Sequence, residues 1–388
     1  MIWRIAFQVI PALAWAVSVV VVVRPLRLSR RRALFLATAL GVAFAKFMFF
    51  ATVGRDGFTP NLPQCLIWAY GWLYGAAMLL TAAAFAFLLL DGVACVVGFP
   101  VPLRAKRIRC AALAALAAAL SLWGVYEGVR VPAVHRVEIV CPGLPASFDG
   151  YRIVHLSDLH CSTAARRARF ERIVERVNAL EPDLVAITGD FVDGTVASRR
   201  GDLAPLADIV AKDGVFGCTG NHERYWEWNR WRVALKDMGI VFPEESGVGI
   251  IGRAHDTLAV GGLVDPAFRP RIDGVPDYGS AADAFVGAPD KAFRILLFHR
   301  PLTDAVGSAD ANVRLQLSGH THGGAMPILR TLVEYKNEGR SGGLYEFATG
   351  RYLHLSRGTG QWAGFPLRLF IPAEITELVL RSEAKSDS

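Results

Sequence analysis

Five short motifs in the second half of the chain combine residue types that bind divalent metal ions. In chain order they are Ser157-Asp158-Leu159-His160, Gly189-Asp190, Gly220-Asn221-His222-Glu223, the lone His299 and Gly319-His320-Thr321-His322-Gly323. Each follows an apolar run that is typical of a β-strand, and five of the nine histidines lie in these motifs. Carboxylate, amide and imidazole ligands suit Mn, Fe, Zn or Co rather than a thiolate-bound structural zinc. The pattern therefore predicts a mixed-ligand metal site at the ends of several strands.

The spacing within the motifs adds a reason for the side chains to converge. Residues i and i+2 of an extended segment point to one face, so Asp158 and His160 are expected to bind one cation together, and the last motif repeats this spacing. Gly189 permits a sharp exit from its strand, which leaves the Asp190 carboxylate free to bridge two ions. One such motif alone is common and usually structural. The five together indicate a centre with two metal ions.

Alternating strands and helices must position these motifs, which favours an α/β architecture beyond about residue 150. The predicted strands are Tyr151–Ser157, Asp183–Thr188, Gly214–Thr219, Thr257–Leu263, Phe293–Phe298, Val313–Leu317, Tyr352–Ser356 and Leu367–Leu380, and the predicted helices are Thr163–Leu180 and Arg224–Met238. Residues 131–150 are expected to form a linker, residues 151–381 the catalytic domain and residues 382–388 a disordered tail.

Four long apolar stretches precede the linker and predict a block of transmembrane helices over residues 1–130. About 20 apolar residues of helix cross a hydrocarbon core. The stretches that meet this length are Ile5–Val23, Ala33–Val53, Leu66–Leu90 and Ala111–Val129. They are apolar all round, which favours membrane spans over the alternative of four buried core helices. Two charged residues within or beside them, Lys46 and Asp91, are expected to serve packing and anchoring rather than an ion pathway.

The positive charge of the chain is concentrated in the loops between these stretches. Thirteen of the 42 basic residues but only three of the 35 acidic residues lie up to Arg130, which leaves 29 basic and 32 acidic residues beyond it. The high isoelectric point therefore gives no argument for binding of nucleic-acid polymers. Loops 24–32 and 100–110 are rich in basic residues, whereas loop 54–65 has Arg55 as its only basic residue. The positive-inside rule therefore places the two basic loops in the cytoplasm. With four spans, the catalytic domain of this multi-pass membrane protein is then expected on the periplasmic side of the inner membrane.

In this order the motifs resemble those of the calcineurin-like metallophosphoesterase family: D-x-H, G-D, G-N-H-E, a lone His and then G-H-T-H. The resemblance covers about residues 151–381 and is closest to bacterial membrane-anchored members, although Ala325 stands where a Gln is common in the family. It implies a four-layer α-β-β-α sandwich. It further implies that one metal ion is held by Asp158, His160, Asp190 and His322, that a second is held by Asp190, Asn221, His299 and His320, and that His222 protonates the leaving oxygen.

The chemistry of a two-metal centre agrees with these roles. Two cations about 3.5–4 Å apart can bind a hydroxide and the phosphoryl oxygens at once, and coordination lowers the pKa of the bound water towards ~7. A nearby imidazolium can protonate the departing alkoxide, which is typically worth ~10²–10⁴-fold in rate. We therefore expect a membrane-anchored phosphoesterase that hydrolyses a phosphodiester or pyrophosphate bond of an envelope lipid, polymer or nucleotide. The alternative is a non-catalytic scaffold or sensor, for which some ligands should be lost.

Three features near the motifs leave two interpretations open. Asp193 either supports a metal ligand or caps a loop. Glu223 either tunes His222 or forms a surface salt bridge. The aromatic stretch 224–231 either forms a lip that touches lipid or ligand, or packs on the core. His155, within the first predicted strand, is expected to be packed or hydrogen-bonded.

Overall fold

The computed structural model of the chain describes residues 2–54, 59–269, 271–272 and 275–383. The chain divides into two compact units: Met1–Gly128 together with Ala363–Leu369, and Val129–Trp362 together with Phe370–Ser388. We call them the helical unit and the sandwich unit. The predicted tail beyond Glu383 and the loop arginine Arg55 lie outside the described residues.

Five α-helices form the helical unit: α1 (Ile2–Ser18), α2 (Arg30–Phe44), α3 (Lys46–Val53), α4 (Gln64–Val96) and α5 (Leu103–Val129). Three helical segments within the described residues, Val9–Leu26, Gln64–Val96 and Leu103–Val129, are long and apolar enough to cross a membrane. The pair α2 and α3 makes a fourth if it counts as one span, although it is bent by 57°. These helices support membrane association, and the third predicted stretch is one unbroken helix of 33 residues.

Lys46 lies at the bend between α2 and α3 and is fully buried. Its ammonium group donates to the carbonyl of Gly364 at 2.6 Å and faces the rings of Phe47, Phe50 and Tyr74, with centroids 5.0 to 5.3 Å away. Carbonyl and aromatic groups therefore surround the buried charge. The strand predicted over Leu367–Leu380 begins only at Glu374, and residues Ala363–Leu369 belong to the helical unit, so that prediction is wrong over its first part.

Asp91 lies near the carboxyl end of α4 and is paired with basic residues of α5. Arg109 donates to both carboxylate oxygens, at 2.9 and 2.6 Å, and the Lys106 ammonium lies 3.4 Å away. Paired charges of this kind stabilise the packing of helices in a membrane environment. Asp91 thus has the packing contacts that the sequence predicts.

The described residues of the sandwich unit form strands β1 (Ala133–Val140), β2 (Tyr151–Leu156), β3 (Leu184–Thr188), β4 (Val215–Cys218), β5 (Ile240–Val241), β6 (Gly249–Arg253), β7 (Asp256–Leu263), β8 (Arg271–Ile272), β9 (Val275–Pro276), β10 (Phe293–Phe298), β11 (Val313–Ser318), β12 (Gly343–Ala348), β13 (Arg351–Leu355) and β14 (Glu374–Arg381). The α-helices of this unit are α6 (Arg167–Asn178), α7 (Val196–Leu203), α8 (Trp228–Asp237), α9 (Pro243–Ser246) and α10 (Pro327–Lys336).

Two six-stranded sheets form the centre of the unit, in the orders β1-β14-β2-β3-β4-β5 and β12-β13-β11-β10-β7-β6. In the first sheet β1 runs parallel to β14, with Ala133 opposite Glu374. The stretch that the sequence predicts as a linker therefore contains an edge strand. Polar residues alternate with apolar ones along this strand, and Arg136 and Glu138 are exposed. A search for continuous apolar runs therefore does not detect it.

Apolar side chains fill the space between the sheets and cover their outer faces. Helix α6 packs on the first sheet through Phe170, Ile173, Val174 and Val177, the i, i+3, i+4, i+7 pattern of an amphipathic helix. The outer face of the second sheet is covered by short turns, such as the one at Asp283–Phe285, rather than by long helices. The predicted α/β sandwich is confirmed, and the layer that covers the outer face of the second sheet is thin.

Parallel pairing decides where the motifs meet. Strands β2, β3 and β4 are parallel neighbours in the first sheet, and β10 and β11 are parallel neighbours in the second. The carboxyl ends of parallel neighbours lie at one edge of a sheet. The five motifs begin within two residues of the ends of these strands, so the two packed sheets bring them together.

Candidate metal centre

One group of polar side chains joins the first and last motifs. Donor atoms of Asp158, His160 and His322 all lie within 4.8 Å of one another. The Nε2 atom of His322 is 3.3 Å from Oδ1 of Asp158 and 3.2 Å from Nε2 of His160. Ring nitrogens converge here with a carboxylate oxygen, which is an arrangement that can hold a cation.

A second group joins the other motifs. Donor atoms of Asp190, His299 and His320 also lie within 4.8 Å of one another. Nε2 of His299 is 3.4 Å from Oδ2 of Asp190 and 3.2 Å from Nδ1 of His320. The same Asp190 oxygen is 3.7 Å from Nε2 of His160 in the first group. Asp190 Oδ2 therefore faces both groups, as a bridging carboxylate would.

Asn221 supplies an independent test of whether this site fits metal ions. Its Oδ1 atom is buried and has no hydrogen-bond partner among the described residues. A buried polar atom without a partner costs free energy in a stable protein. A cation beside Asn221 would remove that cost, and carboxylate, amide and imidazole donors suit a borderline divalent metal. The residues present therefore fit a dinuclear centre.

The backbone at the ligands differs from the extended conformation that the i, i+2 spacing predicts. Five residues of the two groups have left-handed φ values, which non-glycine residues rarely adopt. They are Asp158 (52°), His160 (45°), Asp190 (53°), His320 (74°) and His322 (50°). The extended-strand reason is thus wrong: turns after the strand ends aim these side chains, and His320 and His322 go to different groups. Such strain is typical of functional sites.

Two glycines of the motifs permit the close approach of these turns. Gly189 has φ +81°, and a β-carbon there would lie 2.6 Å from the backbone nitrogen of Gly220. A β-carbon at Gly319 would collide with the side chains of Ser157 and Asp158. Because neither contact involves the end of a long flexible side chain, any larger residue would displace a ligand-bearing loop.

Asp193 links the first group to His222. Its buried carboxylate accepts from Nδ1 of His160 at 3.0 Å and from Nδ1 of His222 at 2.5 Å. Although burial acts against it, the two imidazoles hold the pKa of Asp193 well below its usual range. A hydrogen bond at Nδ1 fixes the tautomer and leaves Nε2 available as a ligand. These contacts favour the interpretation that Asp193 supports a metal ligand. The Thr188 carbonyl, which lies 2.7 Å from Nδ1 of His299, supports that ligand in the same way.

His222 lies at the open side of the two groups, with 19% of its side chain exposed. Burial disfavours its imidazolium form, but the carboxylates of Asp193 and Asp190 outweigh burial and raise the pKa of His222 to about 10. Cations beside Asp190 would lower this value by repulsion. A protonated imidazole in this place can act as a general acid.

Glu223 agrees with the tuning role rather than with the surface salt bridge, because its charge is among those that raise the pKa of His222. Its side chain is fully buried and accepts the backbone N–H groups of Gly220, Asp190 and Phe191 at 2.7, 3.0 and 2.7 Å. Burial, and then the Asp190 charge, raise the pKa of Glu223 to about 7. The carboxylate holds the second motif against the third, so the surface salt bridge is wrong.

The aromatic stretch 224–231 divides between core and surface. Trp231 is fully buried, and its indole donates to the Gly194 carbonyl at 2.8 Å. Trp228 packs edge-on against Phe242, with ring centroids 5.6 Å apart. Tyr225 instead is exposed, with its ring 5.4 Å from that of His222. The core interpretation holds for Trp231 and for the packed face of the half-buried Trp228, and Tyr225 forms part of the rim of the site.

Two residues beside the second group were missed by sequence reasoning. Arg300 follows His299 directly, and its guanidinium contacts the buried Asp265 carboxylate through Nε at 2.9 Å and Nη2 at 3.3 Å. Its Nη1 lies 3.0 Å from Nε2 of His320. The position of Arg300 next to a candidate ligand is a sequence signal, whereas nothing local distinguishes Asp265.

His155 is a structural residue, as expected. It is fully buried in β2, where Nδ1 lies 2.8 Å from Nδ1 of His354 and Nε2 lies 2.9 Å from the Thr188 hydroxyl. Burial lowers the pKa of His354 to about 4, so the ring stays neutral at pH 7. This pair fills a polar space between the sheets without joining either ligand group.

Comparison with known proteins places the site in a family. The family model of the calcineurin-like phosphoesterases matches residues 151–324. A metallophosphoesterase of Campylobacter jejuni is 30% identical over 271 residues, which cover 68% of this chain and 68% of that protein. The chain belongs to the calcineurin-like phosphoesterase family. Phosphoesterases of this family use a dinuclear centre of divalent metal ions, which agrees with the two ligand groups.

Relatives of this calcineurin-like chain occur in animals as well as in bacteria, so a specifically bacterial branch stays a prediction. A "Transmembrane protein with metallophosphoesterase domain" of Danio rerio is 32% identical over 271 residues, which cover 69% of this chain and 61% of that protein. The chain thus spans about three fifths of the length of the vertebrate relatives. Among solved structures, the NAD nucleotidase of Haemophilus influenzae matches with a TM-score of 0.36 and 16% identity, over 54% of this chain and 45% of that one.

Proposed function

We propose that this protein is a membrane-anchored, metal-dependent phosphoesterase with a dinuclear centre. The observation that carries the proposal is the position of Asp190, whose Oδ2 atom lies 3.7 Å from the imidazole of His160 and 3.4 Å from that of His299. When bound there, two divalent cations would generate a nucleophile from water at neutral pH and neutralise charge on the phosphoryl group. The metals are assigned here only as divalent ions of the Mn, Fe, Zn and Co class.

The ligand groups support one role for each residue. One ion would be held by Asp158, His160, Asp190 and His322, and the other by Asp190, Asn221, His299 and His320. The hydrogen bonds from Nδ1 of His160 to Asp193 and from Nδ1 of His299 to the Thr188 carbonyl place the proton of each neutral ring on Nδ1, so that a cation would find the lone pair on Nε2. The protein thereby prepares lone pairs for metal binding.

His222 would act as the general acid. Its Nδ1–H donates to Asp193, which leaves the proton on Nε2 for transfer to the leaving oxygen as the P–O bond breaks. Asp193 retains its negative charge throughout and stabilises the imidazolium before the transfer. This arrangement separates the proton donor from the metal ligands while keeping both on one buried carboxylate.

The substrate class follows from the combination of this site with apolar helices. A phosphodiester or pyrophosphate bond of a membrane-associated lipid, an envelope polymer or a nucleotide fits a hydrolase that is anchored beside its substrate. A scaffold or sensor without activity is less well supported, because six of the seven predicted ligands lie in the two groups and the seventh, Asn221, has a buried oxygen without a partner among the described residues.

We further propose that the sandwich unit lies outside the cytoplasm. If the bent pair α2 and α3 crosses once, the helical unit has four spans and both basic loops share one side. If the pair re-enters instead, the loop containing Arg104, Lys106, Arg107 and Arg109 is placed opposite the loop containing Arg30–Arg32, against the positive-inside rule. Four spans therefore fit the charges better than three.

Reconstitution with metal tests the enzymatic proposal. The full chain, purified in detergent and stripped by chelation, should bind two equivalents of Mn²⁺ and then hydrolyse bis(p-nitrophenyl) phosphate or pyrophosphate. Asp190→Asn should lose metal and activity together, whereas Asp213→Asn, at a carboxylate bonded to Tyr151 and Arg253, should keep both. Metal binding by wild type without turnover on any phosphoester would favour the scaffold, and full activity in Asp190→Asn would refute the ligand assignment.

A further inference from the structure

Arg300 is a positive charge beside the candidate metal centre to which the mechanism above gives no role. Its side chain is 25% exposed, whereas the Asp265 side chain that it contacts is fully buried. Nε and Nη2 of the guanidinium are engaged by the carboxylate, at 2.9 and 3.3 Å. Because a guanidinium has five N–H donors, this fork leaves donors on the opposite edge available for another group.

The backbone around this pair is also fixed. The Arg300 carbonyl accepts from the hydroxyl of Ser318 at 3.2 Å, in the strand that leads to the last motif. Asp265 accepts the backbone N–H of Ala267 at 2.8 Å, and its own N–H donates to the hydroxyl of Thr219 at 3.1 Å. Residues at the carboxyl ends of three other strands, β4, β7 and β11, thus hold Arg300 and Asp265 in place. Such preorganisation is what a binding residue needs to lose little entropy when the ligand arrives.

The position of the edge that faces away from Asp265 determines what it can bind. Nη1 donates one of its two protons to Nε2 of His320 at 3.0 Å, whereas Nδ1 of that ring is the atom that faces His299 in the ligand group. The guanidinium is therefore outside the metal ligand shell but adjacent to it. A substrate oxygen that the two cations do not hold can reach this place. Arginine is well suited to such an oxygen because its planar fork matches phosphate geometry.

The surface next to the pair has room for the rest of a substrate. Asp265 leads into a turn at Pro266–Phe268. Phe268 and Trp228 help to line an open depression of about 540 Å³, together with Arg224, Glu227, Asn229 and Arg230. Because Glu227 pairs with Arg230 at 2.9 Å, the aromatic faces and Arg224 are the part of this rim that would suit a phosphorylated organic group.

We propose that Arg300, positioned by Asp265, forms a subsite for a phosphoryl oxygen that neither metal ion binds. A phosphodiester has two non-bridging oxygens, and both can be taken by the two cations. A pyrophosphate carries a second phosphoryl group, and a monoester carries a third non-bridging oxygen, so each offers one more anionic acceptor. The subsite therefore favours pyrophosphates and monoesters over diesters. This inference rests on the proposed phosphoesterase function.

Binding of inorganic phosphate and turnover of three substrates test the subsite. In the Mn²⁺-loaded full chain, Arg300→Gln should weaken phosphate binding, measured by calorimetry, by about 10–100-fold, the size expected for charge-assisted hydrogen bonds. It should lower kcat/KM for pyrophosphate and p-nitrophenyl phosphate by a similar factor. The loss for bis(p-nitrophenyl) phosphate should stay below about threefold. Arg300→Lys should recover part of the phosphate affinity because it restores the charge without the fork.

The two sources of the extra oxygen give different patterns. A loss confined to pyrophosphate assigns Arg300 to the second phosphoryl group, and a loss shared by the monoester assigns it to the group under attack. Arg253→Gln is the matched control, since Arg253 is likewise a partly exposed arginine paired with carboxylates, in its case those of Asp183 and Asp213, near the opposite ends of the strands.

Three results would overturn the proposal. Unchanged phosphate affinity in Arg300→Gln, with a lower melting temperature like that of Arg253→Gln, would make the residue a structural ion pair. Equal losses on diester and pyrophosphate would remove the discrimination. Loss of metal from Arg300→Gln would make the guanidinium a support for His320 instead. Failure of the proposed function itself would be recognised separately, because wild type would then hydrolyse none of the three substrates.

Discussion

Replacing Asp193 by asparagine tests whether one carboxylate serves both a metal ligand and the general acid. In the structure its two oxygens accept from Nδ1 of His160 and from Nδ1 of His222, at 3.0 and 2.5 Å. An asparagine has one acceptor oxygen and one NH₂ donor. It can therefore accept from only one imidazole and must present N–H groups to the other. The second ring has to move its proton to Nε2 or turn away.

The expected magnitude depends on which imidazole loses its partner. If it is His160, the proton on Nε2 blocks a metal ligand, and loss of such an orienting contact typically costs about 10–100-fold in metal affinity. If it is His222, the general acid loses both orientation and charge stabilisation, and that acid is worth about 10²–10⁴-fold on a poor leaving group. If His222 loses its partner, we therefore expect Asp193→Asn to lower kcat on an alkyl phosphoester by at least about 100-fold at saturating Mn²⁺. If His160 loses its partner, kcat at saturating Mn²⁺ should change little, and the Mn²⁺ concentration needed for half-maximal activity should rise by about 10–100-fold.

The pH profile gives a second readout with a defined sign. The Asp193 carboxylate is among the charges that raise the pKa of His222 against the effect of burial. Removing that charge lowers the pKa, so the imidazolium is lost at a lower pH. The alkaline limb of the profile of kcat should consequently move to lower pH in Asp193→Asn, with an alkyl phosphoester as substrate.

The assay compares kcat, KM and metal content of wild type and Asp193→Asn between pH 5 and 10, using the full chain in detergent. Asp202→Asn is the control, because Asp202 pairs with Arg199 at 2.9 Å in the same unit but contacts neither imidazole. Unchanged metal content together with an unchanged pH profile in Asp193→Asn would refute the shared-carboxylate reasoning.

Three further predictions follow from individual contacts. His222→Ala should slow alkyl phosphoesters far more than p-nitrophenyl esters while metal content is kept, and equal losses on both would make the residue a phosphate-positioning group. Glu223→Gln should destabilise the protein by about 1–3 kcal/mol, seen as a lower melting temperature, because an amide turns a donor towards one of three backbone N–H groups. A C-terminal alkaline phosphatase fusion should be active and a green fluorescent protein fusion dark if the sandwich unit is exported, and the reverse result would contradict the four-span topology.

Much of the metal centre could be predicted from the sequence because each ligand lies in a short local pattern. An apolar run ending at Asp158, Asp190, Asn221, His299 or His320 is a short-range pattern, and its meaning depends on residue type rather than on distant partners. The α/β class and the apolar helices are likewise local properties. The order of the motifs was enough to identify the family that the comparison confirms.

Other features depend on residues far apart in the chain, and only the tertiary structure decided them. Strand β1 is a strand because it pairs with β14 near the other end of the chain. The family resemblance implied that His320 and His322 serve different ions, but the i, i+2 spacing does not indicate the left-handed turns that direct the two rings into separate ligand groups. A short stretch of sequence does not indicate such features, because strand pairing and the convergence of ligands depend on packing between distant parts of the chain.

The same distinction separates the ligands from the residues that support them. The sequence leaves the roles of Asp193 and Glu223 open although both lie near motifs, and Asp265 has no motif at all. Burial turns each into a fixed acceptor, for two imidazoles, for three backbone N–H groups and for one guanidinium respectively. Residue type and spacing determined which groups could bind metal, whereas the packing of two sheets decided which buried carboxylates hold those groups in place, because burial is a property of the folded chain alone.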